Sequence, residues 1–184
     1  MNRSLLLLTL ATALLAAPEA FAVDSSLGVS LGYVEAKRVD ATLVFSGDYR
    51  FHLSKVIALA PEFSYWKKSE SSVTLTSSIE DLQLGVNAVA VLPVGSRVQL
   101  FGGGGGGLHH VTGNLAIRGS GTASSVTDSI TRGGFDVLAG VDIAAGDTLS
   151  FFLSARYDWV LGLEGDDPRR LDQAKFVGGF RVRF

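Results

Sequence analysis

Leu149-Ser150-Phe151-Phe152-Leu153-Ser154-Ala155-Arg156-Tyr157-Asp158-Trp159 decides the fold of this chain. Apolar or aromatic side chains take every odd position, and Ser, Phe, Ser, Arg and Asp take the even ones. A period of two sends the two sets to opposite faces of a β-strand. Upstream, Phe135, Val137, Ala139, Val141 and Ile143 alternate with Gly134, Asp136, Leu138, Gly140 and Asp142. Downstream, Phe176, Gly178, Phe180, Val182 and Phe184 alternate with Lys175, Val177, Gly179, Arg181 and Arg183.

The same pattern runs back to the start of the chain. Further alternating runs begin at Leu27, Leu43, Ile57 and Leu82. A fifth, Arg97 to His109, is glycine through its middle, so its faces stay ambiguous. That makes eight strands, and no stretch after Ala22 shows a helical period. Tight connectors, Ser54-Lys55, Pro93 to Ser96 and Ala145 to Thr148, follow the second, fourth and sixth runs. Longer polar connectors, Lys67 to Ser78, His110 to Thr131 and Leu161 to Ala174, follow the third, fifth and seventh. The first connector, Ala36 to Asp40, is short. An antiparallel meander with short turns at one end and long loops at the other has the layout of a transmembrane barrel.

Met1-Asn2-Arg3 followed by the apolar run Ser4 to Ala17 and Ala20-Phe21-Ala22 is a secretory signal peptide, with cleavage expected after Ala22. The run is shorter than the ~20 residues of a spanning helix. Domains are therefore expected at 1–22, the signal peptide, and 23–184, one β-barrel domain. Removing Arg3 and Glu19 leaves the net charge at −2, so no basic nucleic-acid footprint is present. The absence of Cys excludes a disulfide scaffold and Cys-ligated metals. With 22 Gly and 18 % charged residues in 184, the chain is glycine-rich and poorly charged for a protein surrounded by water.

Periodicity does not say which face is inside. A lipocalin-like soluble barrel alternates too, with its apolar face inward. Here the polar face is mostly Gly, Ser, Ala and Asn, which suits a narrow bore. Aromatics on the apolar face gather near strand ends: Tyr33, Tyr65, Phe135, Tyr157 and Trp159 at one end, Tyr49, Phe51, Phe151 and Phe184 at the other. Two interfacial girdles give this placement. The chain stops within the last alternating run, at Phe184, where that strand is expected to close on the first.

The terminal Phe176-Val177-Gly178-Gly179-Phe180-Arg181-Val182-Arg183-Phe184 resembles the assembly signal of small eight-stranded outer-membrane β-barrel proteins of Gram-negative bacteria, typified by the membrane domain of outer-membrane protein A. Gly134 to Asp142 and Ser154 to Trp159 are similar to the same family. The resemblance implies an all-β, up-and-down transmembrane barrel in the outer membrane. It implies as partners the lipid bilayer and lipopolysaccharide, and an assembly machinery that reads Phe180, Val182 and Phe184. A monomer without a cofactor is expected. Larger relatives carry a peptidoglycan-binding domain, which is not expected here.

Inside the bore, Asp48, Arg50, Glu62, Asp136, Arg156, Asp158 and Arg181 are expected to form a charge network that plugs the lumen. Asp81, Asp142, His52, Lys175 and Arg183 share that face. Eight strands leave no aqueous channel, so a structural or surface-interaction role through the loops ranks above transport of a small solute. Gly102 to Gly107 satisfies a G-x-G-x-x-G pattern without the βαβ context of a nucleotide site. His109 and His110 point to opposite faces and do not share a metal, so they are read as polar residues where the fifth strand leaves the membrane. A lipid-modifying enzyme needs a Ser–His pair at the rim. The His-x-Ser motif is absent; His110-Val111-Thr112 offers Thr, with Ser120, Ser124 and Ser125 in the following loop. No catalytic residue is assigned.

Overall fold

The computed structural model describes residues 25–37, 39–73, 75–118, 123–161 and 171–184. The expected signal peptide, the Gly119 to Thr122 segment and the charged Glu164 to Arg170 segment lie outside them. Among the described residues there are eight strands: β1 (Ser25–Ala36), β2 (Val39–His52), β3 (Ile57–Ser71), β4 (Leu75–Pro93), β5 (Val98–Arg118), β6 (Ala123–Ala144), β7 (Leu149–Val160) and β8 (Gln173–Arg183). They pair in sequence order as a closed antiparallel barrel. Closure runs from Ser26 opposite Arg183 to Ala36 opposite Gln173. Ser25 and Phe184 finish it by exchanging backbone hydrogen bonds of 3.1 and 3.0 Å.

The odd positions of β7 face out: Leu153 is 63 % exposed, while Phe152 and Asp158 beneath it are buried. Leu31, Leu43, Phe63, Val86, Val137 and Phe180 are likewise outside. An apolar band of this extent is unstable in water and stable against acyl chains. Aromatics cluster toward its two ends. Phe135 stacks on Trp159 at 4.9 Å and Tyr157 meets Trp159 edge-on at 4.7 Å. Tyr49 packs between Phe51 and Phe184 at 4.5 and 5.9 Å.

Two corrections concern the connectors. The stretches 67–78 and 110–131 are mostly strand, so β4, β5 and β6 reach 19, 21 and 22 residues. Ser124 and Ser125 accordingly lie in β6 and not in a loop. Thr, Val and Ile support strands even when serines are mixed in, so serine-rich composition is a poor sign of a loop here. A membrane-crossing strand needs ~9–11 residues, and β1, β7 and β8 have 12, 12 and 11. β3 to β6 run on past their last rungs with β2 and β7, Val44/Trp66 and Gly134/Val160, as a four-stranded overhang. At the short-turn end, Val94 N–H bonds Val98 C=O at 2.8 Å around Gly95. Gly95 has φ +97°, a conformation L-residues adopt with strain.

The glycine run resolves into two faces. Phe101 and His109 point inward, so Gly103, Gly105 and Gly107 between them do too. A Cβ on any of these three would overlap a carbonyl oxygen of β4, from Ala88, Val86 or Leu84. Glycine is what lets β5 lie this close. Between β2 and β3 the ladder is interrupted from Asp48/Glu62 to Phe51/Leu59 without a change of register. Pro61, which has no N–H, sits in the gap.

Arg substituted at Leu153, Val137 or Val86 is expected to lower unfolding free energy in liposomes by about 2–4 kcal/mol where the site is near the bilayer midplane. The same change at Ser96, in an exposed short turn, is expected to leave it nearly unchanged. Urea titration followed by Trp fluorescence measures both.

Candidate functional site

The even positions of β1, β2, β3, β6 and β7 and the odd ones of β4, β5 and β8 meet in the bore. All seven residues of the expected network point into it. Near the short-turn end, Arg181 from β8 ion-pairs with Asp142 of β6 and spans to both carboxylate oxygens of Asp48 on β2 at 3.0 Å. Arg50 reaches Asp48 at 3.3 Å. Phe101 and Phe152 lie under these cations, with Arg50 4.2 Å from the Phe101 centroid and Arg181 4.5 Å from that of Phe152. Arg183, which keeps 33 % exposure, tethers Gln99 at 3.3 Å and Asp142 at 3.5 Å.

At mid-height Arg156 of β7 ion-pairs with Glu62 of β3 and lies 3.6 Å from Asp136. Above it, Lys175 holds Asp158 at 3.1 Å, donates to Ser64 at 2.9 Å and to Gln83. Gln83 closes this group by donating to Asp158 at 2.9 Å. Asp158 therefore partners Lys175, while Arg156 serves Glu62 and Asp136. The expected seven residues do not form one cluster; they form three tiers with different cations.

The uppermost polar tier was absent from the expected network. His109 lies 2.9 Å from Asp81, fully inside the bore. Gln173 donates to Asp81 at 2.6 Å, and Trp66 donates its indole N–H to Gln173 at 3.1 Å. Continuing the even–odd alternation through the glycine run would have put His109 on the face of Phe101. His110 does face outward, with its Nδ1 2.9 Å from the Thr131 hydroxyl.

Charge is only part of the closure. Val34, Val44, Trp66, Val111 and Leu171 form an apolar cap at the long-strand end. Ala60, Val89, Val91, Phe101 and Phe152 form a second apolar layer lower down. Between the tiers, the described residues leave cavities of about 50 and 40 Å³, room for a water or two each. An open vestibule of about 720 Å³, lined by His52, Lys55, Gln99, Arg183 and Phe184 among others, ends below the lower tier. Among the described residues, no group of three or more His, Asp or Glu side chains is placed to hold a metal.

Removing the guanidinium of Arg181 leaves Asp48 with Arg50 at 3.3 Å and Asp142 with the partly exposed Arg183 at 3.5 Å, and takes away the cation that joins the two carboxylates. Arg181→Met is expected to cost about 3–5 kcal/mol, the usual loss when one partner of a buried pair is deleted. Adding Asp142→Asn is expected to recover part of that loss. Equilibrium unfolding of the three proteins in one lipid checks the order.

The sequence profile of the outer membrane protein beta-barrel domain matches residues 4–184. No curated protein matches the sequence at a significant level. Several solved structures share the fold. The attachment invasion locus protein Ail of Yersinia pestis superposes with a TM-score of 0.57 at 15 % identity, covering 89 % of this chain and 100 % of that one. Neisserial surface protein A gives 0.56 at 16 % identity, over 88 % and 96 %. A major outer membrane protein from Thermus thermophilus gives 0.65 at 10 % identity, over 87 % and 99 %. At these identities the likeness is one of fold.

Proposed function

This chain belongs to the outer membrane protein β-barrel family, and we propose that it is a closed, non-conducting pedestal that holds an interaction surface outside the cell. Its place is the outer membrane of a Gram-negative bacterium. The observation that carries the reading is the unequal length of its strands. β4, β5 and β6 are 19 to 22 residues long, about twice what a bilayer needs. Extra ordered strand beyond the membrane is a costly way to connect two neighbours and a good way to present a rigid surface.

The bore supports the same reading. Three tiers of ion pairs and an apolar cap fill it, as an eight-stranded cylinder filled by side chains requires. Asp48, Arg50, Glu62, Asp136, Arg156, Asp158 and Arg181 act in this reading as struts and not as a permeation path. No residue is assigned to catalysis: His110 at the rim faces Thr131 and not a serine. Ail has been solved in complex with the heparin analogue sucrose octasulfate, a precedent for ligand binding by a barrel of this fold. Residues 1–22 serve as a cleaved export signal, the assembly machinery reads Phe180, Val182 and Phe184, and the barrel works as a monomer.

Trimming the β3–β4 hairpin to the Lys67–Glu80 row and the β5–β6 hairpin to the Thr112–Ser129 row tests the proposal. The trimmed chain is expected to remain a folded, heat-modifiable barrel. A non-adherent host displaying the full chain is expected to attach to coated surfaces, and one displaying the trimmed chain is expected not to. Both proteins are expected to leave planar bilayers at background conductance. Discrete conductance steps from the full chain would replace this reading with solute transport.

A further inference from the structure

Charge is not spread evenly along the bore. In the lower tier three guanidiniums, Arg50, Arg181 and Arg183, face two carboxylates, Asp48 and Asp142. The tier above it has the reverse balance, with Arg156 serving both Glu62 and Asp136. The surplus positive charge therefore lies beside the open vestibule of about 720 Å³ at the short-turn end. Arg50 and Arg181 are buried, whereas Arg183 lines the vestibule and keeps 33 % exposure.

Arg183 does not stand there alone. Its Nη2 donates to the side-chain carbonyl of Gln99 at 3.3 Å, and Gln99 lines the same vestibule. That contact engages the acceptor end of the amide and leaves its NH2 group as a donor. A guanidinium carries five N–H groups in a fixed fork and no acceptor. Together the two side chains present N–H donors to the vestibule, backed by a tier with one positive charge in excess. The acidic groups at this end are placed elsewhere. Asp147 sits in an exposed turn, with Lys55 in the turn across the barrel. The carboxyl group of Phe184 is tied to the Ser25 N–H at 3.1 Å on the closing rung.

We propose that the Arg183–Gln99 pair at the closed end of the vestibule is a binding site for a carboxylate group, carried by a small organic acid or by the end of a short peptide. A carboxylate is an acceptor only, and its two oxygens match the planar fork of an arginine. A cleft with low-dielectric walls focuses the field of such a charge. Val91 supplies part of that wall, and Leu53 and Phe184 offer the remainder of the ligand an apolar side. The volume lies within the ~300–1,000 Å³ range of small-molecule sites. Short turns of outer-membrane barrels face the periplasm, so the ligand is a periplasmic solute. The site goes beyond the pedestal reading and is independent of it, because the bore stays sealed above the lower tier.

NMR of the folded protein in lipid nanodiscs tests the site through the Gln99 side-chain amide and the Arg183 Nε–H signals. The probes are N-acetylalanine, its uncharged amide, acetate and inorganic phosphate. N-acetylalanine is expected to shift both signals saturably, less so in added salt, and its amide is expected to shift neither. Tighter binding of N-acetylalanine than of acetate assigns the site to peptide ends; equal binding assigns it to free acids. Two variants are expected to weaken binding roughly tenfold or more, as loss of one charge-assisted hydrogen bond implies. Arg183→Gln removes the fork. Gln99→Glu keeps a partner for Arg183, and so the fold, but replaces the amide donor with a negative charge. Asp147→Asn is expected to bind at least as well as the wild type. Equal shifts from the acid and its amide, or no shift from either acid, would overturn the inference. Saturable shifts from phosphate alone would also overturn it.

Discussion

Every backbone N–H and C=O within a hydrocarbon slab has to find its partner in the protein, because no water is there to supply one. A sheet meets that demand by closing, and the pairing of β1 with β8 from Ser26/Arg183 to Ala36/Gln173 does so. The rest of the molecule follows from that ring. Closure with eight strands fixes a narrow bore. A narrow bore excludes bulk water, so Asp48, Asp142 and Asp158 need Arg181 and Lys175 across the lumen. The outer wall, facing acyl chains, needs Leu31, Val86, Val137 and Leu153 where a soluble barrel would place charges.

The cylinder was legible because lipid and bore impose opposite demands on alternate residues. Leu149 to Trp159 shows both demands in eleven positions. The phase of β5 was hidden because Gly102 to Gly107 carry no side chains to report it. With no side chain to carry the phase as far as His109, its contact with Asp81 is not legible in the sequence. The overhang was mistaken for loops for a different reason. There the inward rows, Lys68–Ile79–Gly113–Asp128 and Glu70–Ser77–Leu115–Val126, mix charged and apolar residues and the outward side is hydroxylated, so no apolar–polar alternation marks the strands.

The tiers of the bore were less legible than its walls. That charges of both signs share one face can be read from parity. Which cation meets which anion depends on barrel stagger. Arg181 meets Asp48 across 133 positions of sequence and Arg156 meets Glu62 across 94. Gln173 and Trp66 add a neutral link, 107 positions apart, that no charge count reveals. The apolar cap of Val34, Val44, Trp66 and Leu171 was likewise outside the expectation of a bore closed by charges. A sealed bore and a rigid sheet above it fit a scaffold whose chemistry lies at its exposed end.

The account stands on one change of surroundings: outward residues meet lipid along the barrel and water along the overhang. Spin labels placed singly at outward positions of β4, from Thr76 through Ser78, Glu80, Leu84, Val86 and Ala88, measure this directly. In liposomes, collisions with oxygen should dominate at 84, 86 and 88, and collisions with a polar nickel chelate at 76, 78 and 80. Uniform access to the chelate along the whole strand would contradict the account, because the wall of the cylinder would then face water.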